Sequence, residues 1–90
     1  MKALGFTNQF KRDFRKVIKR GCPKLKLDDL VLLLRKGEVL PERYCDHALA
    51  GNWKEHRECH IEPNWLLIYQ TFEKEIHLVR TGTHAELFGN

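Results

Sequence analysis

The chain has 90 residues, 42% hydrophobic and 31% charged, with a formal net charge of +4. That length holds one domain, residues 1–90, around one core, and the balance excludes a fibrous or disordered chain. No apolar run approaches the roughly 20 residues of a membrane span, and the opening Met1-Lys2-Ala3-Leu4-Gly5-Phe6 is charged too early for a secretory signal, so no membrane partner and a cytoplasmic location are expected.

The charge is unevenly spread. Residues 1–36 carry eleven Lys and Arg against three Asp and Glu, a surplus of +8; residues 37–90 carry five against nine, a deficit of −4. Such a basic half is either two solvated helix faces or a docking surface for a polyanion. The cysteines are Cys22, Cys45 and Cys59, an odd number without a Cys-x-x-Cys pair, which points to reduced thiols rather than a disulfide framework. Cys45-x-His47 and Cys59-His60 match no common zinc spacing, so no metal site is expected.

In chain order, Lys2 to Phe6 predicts a first strand. Thr7 or Asn8 can cap the helix that follows, in which Phe10, Phe14, Val17 and Ile18 recur at helical spacing. Gly21 and Pro23 end it. A second helix runs from about Pro23 to Lys36, with Leu27, Leu30, Val31 and Leu34 as its buried stripe and Gly37 as its stop. Residues 38–52 show no period and are expected to be irregular. Trp53 to Ile61 alternates, placing Trp53, Cys59 and Ile61 on one face and Lys54, His56, Glu58 and His60 on the other. Pro63-Asn64 turns the chain. Trp65 to Phe72 predicts a central strand buried on both sides. Glu73-Lys74 turns again, Ile76 to Thr81 is the last strand, and the tail from Gly82 is short and partly irregular. The expected fold is α+β, a single domain of order β-α-α-β-β-β, with a helix hairpin on a mainly antiparallel sheet.

Several residues could carry chemistry. His47, His60 and His84 fall at loop or strand-end positions that can converge at one end of a meander. Imidazoles give and take protons near neutral pH; taken singly, each is equally a surface or structural histidine. Arg80 stands in register with Ile76 and Leu78 and needs an anion, either a phosphate or an internal carboxylate such as Glu58 or Glu62. Trp65 and Phe88 can stack on nucleobases or fill the core. No Walker, Rossmann, Gly-x-Ser-x-Gly or His-Glu-x-x-His motif is present. Basic face, histidines, arginine and aromatics together suit metal-free phosphodiester chemistry on RNA, where a ribose 2′-hydroxyl attacks the adjacent phosphorus.

Three stretches carry a family resemblance: Asp46-His47-Ala48-Leu49-Ala50-Gly51-Asn52-Trp53-Lys54, Arg57-Glu58-Cys59-His60-Ile61-Glu62-Pro63-Asn64-Trp65-Leu66-Leu67-Ile68-Tyr69, and Arg80-Thr81-Gly82-Thr83-His84-Ala85-Glu86-Leu87-Phe88. Over residues 8 to 89 the chain resembles the YafQ toxins, a branch of the RelE/ParE superfamily. The resemblance implies a toxin of a type II toxin–antitoxin module, an endoribonuclease that cuts mRNA in the ribosomal A site without a cofactor. It implies catalytic roles for His47, His60, His84, Arg80 and the position of Asn64, and substrate contacts by Trp65, Phe88, Lys54 and Arg57. Asn64 stands where the family usually has aspartate; it cannot take up a proton but can still orient a neighbour by hydrogen bonding, and Glu58 and Glu62 are nearby carboxylates able to stand in. The implied partners are the ribosome and its mRNA, an antitoxin encoded next door that binds DNA as a dimer, and operator DNA through that complex alone. The alternatives are a DNA gyrase inhibitor of the ParE kind, which lacks the histidine cluster, and a non-catalytic RNA-binding protein.

Overall fold

A computed structural model describes residues 1–89. Strand β1 (Ala3–Phe6) leads into helices α1 (Asn8–Lys19) and α2 (Lys24–Lys36). After a 3-10 turn at Glu42–Tyr44 come β2 (His47–Ala48), a second 3-10 turn at Gly51–Trp53, and strands β3 (Arg57–Glu62), β4 (Trp65–Thr71) and β5 (Glu75–Gly82). Helix α3 (His84–Phe88) follows. The five-stranded sheet has the order β1-β5-β4-β3-β2. Only β1 and β5 run parallel; the other pairs are antiparallel.

The α+β class, the helix pair and the antiparallel β3-β4-β5 meander agree with the sequence. Three details differ. The stretch 38–52 is not wholly irregular, because His47 and Ala48 pair with Glu58 and Arg57. Trp53 does not open β3: it sits in the 3-10 turn, and Glu55, at φ 70°, redirects the chain before the strand begins. The tail is helical, started by a capping box in which the Thr83 side chain and Glu86 satisfy each other's backbone N–H groups.

Helix α1 begins where Thr7 stops the strand. The Thr7 hydroxyl oxygen accepts from the Phe10 N–H at 2.9 Å and its hydrogen goes to the Val79 carbonyl at 2.7 Å. One side chain thus caps the helix and fastens it to β5. Gly37, at φ 73°, closes α2 with its N–H on the Leu34 carbonyl; a side chain is disfavoured at that backbone angle.

Residues Trp65 to Tyr69 of β4 are all buried. Alternate side chains therefore enter two cores. Trp65, Leu67 and Tyr69 pack with Cys59, Ile61, Ile76 and Leu78 under Phe10, Val17, Leu27, Leu30 and Leu34 of the helix pair. Leu66 and Ile68 face the other way, against Leu87 of α3 and the half-buried Leu49, Trp53, Val79 and Phe88. Cys59 and His60, adjacent on β3, point to opposite faces, so they cannot share a metal ion.

Replacing Thr7 by Ala removes the cap and leaves the Val79 carbonyl without that donor. The expected loss is about 1–2 kcal/mol in a urea titration, with Thr7→Ser largely restoring it; an unchanged midpoint for Thr7→Ala would show that the hydroxyl does not hold the helix start.

Candidate active site

On β3, Glu58 and His60 are two residues apart and share a face, the one opposite the helix pair. β2 sets His47 directly across from Glu58. The Glu58 side chain is 5% exposed, although the alternation assigned it to solvent. Its Oε1 lies 3.2 Å from His60 Nε2 and 3.7 Å from His47 Nε2. His47 Nδ1 is 2.8 Å from the Cys45 carbonyl oxygen. A carbonyl only accepts, so this nitrogen carries the proton.

Asn64, in the β3–β4 turn, holds the start of α3. Its Oδ1 accepts the His84 backbone N–H at 3.2 Å, a role a carboxylate oxygen would fill equally. The His84 ring stands 5.0 Å from Phe88, and Phe88 meets Trp53 edge-on at 6.4 Å. Gly82 makes this junction possible. Its φ is +155°, and a Cβ there would come within 2.9 Å of Glu86 Oε1.

Glu86 anchors α3 to the first helix. Both its oxygens take hydrogen bonds from Arg20, at 2.8 and 3.2 Å, and Lys16 is 3.8 Å away. The Arg20 bond, with the Thr83 N–H, draws the Glu86 carboxyl down to about 2.

Arg80 does not reach Glu58 or Glu62. Its Nε and Nη2 grip Asp13 of α1 at 2.9 and 3.0 Å, leaving Nη1 without a protein partner among the described residues. The same carboxylate takes the Thr81 N–H at 3.3 Å and the Gln9 amide at 2.9 Å. Burial would raise the Asp13 carboxyl, but the bonds from Arg80, Gln9 and Thr81 outweigh it and hold it below its usual range. Asp13 in turn raises the Arg80 guanidinium. An arginine so placed is permanently charged and fixed in direction.

Two expected substrate residues lie elsewhere. Trp65 is 2% exposed, in the helix-side core, with its indole N–H on Thr81 Oγ1 at 2.9 Å. It has no free face for a base, and Trp53, beside Phe88, is the half-buried tryptophan of the histidine face. Arg57 pairs with Asp46 at 3.0 Å and lies opposite Tyr69, a residue of the helix-side core. Lys54 is exposed, next to Trp53.

Strand register relates the remaining groups. His47, Glu58, Ile68 and Arg80 are successive partners across β2, β3, β4 and β5; His60, Leu66 and Gly82 form the next row. Strands stand about 4.8 Å apart. The Glu58–His60 pair and the Arg80–Gly82 segment, which leads into His84, thus flank β4 at a backbone separation of roughly 10 Å.

The family described as bacterial toxin of type II toxin-antitoxin system, YafQ, matches residues 2–89. The chain belongs to the YafQ family. The mRNA interferase toxin YafQ of Escherichia coli (strain K12) is 42% identical over 87 residues, covering 96% of this chain and 95% of that protein. The crystal structure of YafQ from E. coli strain BL21(DE3) superimposes with a TM-score of 0.93 at 39% identity, covering 99% of this chain and 100% of that one. YafQ in the E. coli DinJ–YafQ complex gives 0.90 at 40% identity, with the same coverage. The α+β architecture is thus that of solved YafQ toxins, and curated YafQ proteins are mRNA interferases, endoribonucleases by class.

Because the folded Glu86 carboxyl is lowered, its stabilising contribution is complete above its ordinary value near 4.5 and disappears as the pH falls toward 2. A carboxyl-detected NMR titration should show a Glu86 midpoint near 2, raised toward the ordinary value in Arg20→Gln. A wild-type midpoint near 4.5 would mean that the Arg20 pair is not formed.

Proposed function

We propose that this chain is the toxin of a type II toxin–antitoxin pair and cuts mRNA in the ribosomal A site. The observation that carries this is the pairing of His47 and His60 on Glu58 on one side of β4, with Arg80 and His84 on the other. Family membership supports the same class of reaction. In the proposed step an imidazole of the His47–His60 pair removes the proton from a ribose 2′-hydroxyl. The oxygen bonds to phosphorus, the bond from phosphorus to the 5′-oxygen breaks, and an imidazole such as His84 returns a proton to that oxygen. The products are a 2′,3′-cyclic phosphate and a 5′-hydroxyl. No bound ion is needed for the balance. Arg80, through the free Nη1, meets the charge that develops on phosphorus. Phe88 and His84 offer ring faces to a neighbouring base, worth about 1–3 kcal/mol if stacked, and Lys54 a cation to the backbone. Asn64 keeps the His84 segment in place.

The partners follow from the same reading. A cognate antitoxin is supported by the DinJ–YafQ complex of the E. coli relative; it would be encoded in the adjacent gene, bind DNA as a dimer, and carry this chain to operator DNA only as a complex. Lys11, Arg12, Arg15 and Lys19 of α1 are exposed and offer cations to acidic protein segments or to ribosomal RNA.

Mild induction without antitoxin should arrest growth and deplete a translated reporter mRNA, whereas a gyrase inhibitor would leave DNA breaks. His84→Ala and Arg80→Ala should relieve the arrest and slow cleavage of ribosome-bound mRNA by about 10²-fold or more while circular dichroism stays native. Native cleavage rates in both folded variants would overturn the site. Ribosome affinity should fall steeply between about 50 and 200 mM salt if lysines and arginines meet phosphates; a flat response would remove α1 from the docking surface.

A further inference from the structure

We propose that Glu58 is a positioning residue that holds His60 in the Nε2–H tautomer, opposite to that of His47, and so makes His60 Nδ1 the proton-accepting atom; this rests on the nuclease reading above. Glu58 is buried, and the side chains within 4 Å of its carboxylate that can carry positive charge are two imidazoles, with no lysine or arginine among the described residues. A buried carboxylate satisfied only by histidines constrains their protons. It accepts the Nε2–H of His60 across 3.2 Å. A neutral imidazole has one N–H, so the lone pair of His60 is then on Nδ1. His47 is fixed the other way, because the Cys45 carbonyl takes its Nδ1–H. Its Nε2 lies 3.7 Å from the carboxylate, beyond a good hydrogen bond, and pairs with it only when His47 is protonated.

The arrangement has a direct chemical use. When His60 Nδ1 takes the 2′-hydroxyl proton, the ring becomes an imidazolium whose second N–H already points at Glu58. The buried negative charge stabilises that cation at the moment it forms, as an orienting carboxylate does in a hydrolase triad. Local structure supplies this cheaply: the spacing of 58 and 60 on β3 puts carboxylate and ring on one face, and two residues of β2 bring His47 opposite. The carboxylate touches no substrate. It acts through the rings.

The test uses the full chain with ¹⁵N-labelled histidine, together with single-turnover cleavage of ribosome-bound mRNA and a separate measurement of ribosome affinity. Wild type should show His60 protonated on Nε2 and His47 on Nδ1. In Glu58→Leu the His60 signal should move toward the Nδ1–H form, with the cleavage rate down about 100-fold and ribosome affinity within about twofold. Glu58→Gln keeps an acceptor and loses the charge; it should retain the tautomer yet cut about tenfold or more slowly. Should Glu58→Leu fail to fold, Glu58→Gln alone decides by that rate at intact affinity. A wild-type His60 protonated on Nδ1, or a Glu58→Gln rate equal to wild type, would overturn the assignment. Absence of cleavage by the wild-type chain is a different result, defeating the nuclease reading in its own arm while the tautomer spectrum still judges the hold of Glu58 on His60.

Discussion

A central strand buried on both faces governs this molecule. Trp65 to Tyr69 puts a large side chain into each side in turn, and neither side can be left to water. The helix pair covers one side. The other is closed by a smaller cluster assembled from the 49–53 segment and the short terminal helix, through Leu49, Trp53, Leu87 and Phe88. Closing that second side is what folds a loop and a tail back over the sheet. His47 rides beside the loop and His84 opens the helix, so two of the groups proposed for chemistry arrive with the cover, while His60 and Arg80 stand on the sheet. Packing and the proposed site therefore draw on the same segments.

Three carboxylates of the second half take up cations: Glu86 that of Arg20, Glu62 that of Lys26, and Asp46 that of Arg57. Exposed pairs of this kind contribute little to stability individually. Their effect here is to pin elements, α3 to α1 and the β3 end to α2, leaving the outer row of α1 unneutralised.

Much of this was legible in the residues. Threonine before an amphipathic run marked the start of α1, glycine marked the end of α2, and a β-branched and aromatic run marked β4. The rest was hidden for identifiable reasons. Two residues, His47 and Ala48, are too few to show a period, so β2 exists only through its pairing with β3. The Thr83-x-x-Glu86 signature of a capping box was present in the tail but preceded a single turn and a half of helix. Glu58 alternates with the polar residues of its strand, and its burial depends on neighbours brought by β2 and β4. The resemblance put Trp65 among the site aromatics, yet a strand buried on both sides has no exposed position at its start. Asp13 carries no local signal of its role; its partner is 67 residues away, beyond any local pattern.

That last pair changes how the arginine should be thought of. Arg80 belongs to β5 by sequence, but its direction is dictated by a carboxylate of α1. The guanidinium is therefore tied to the helix as much as to its own strand. A substitution in α1 that moves Asp13 would reach a side chain 67 residues further along the chain.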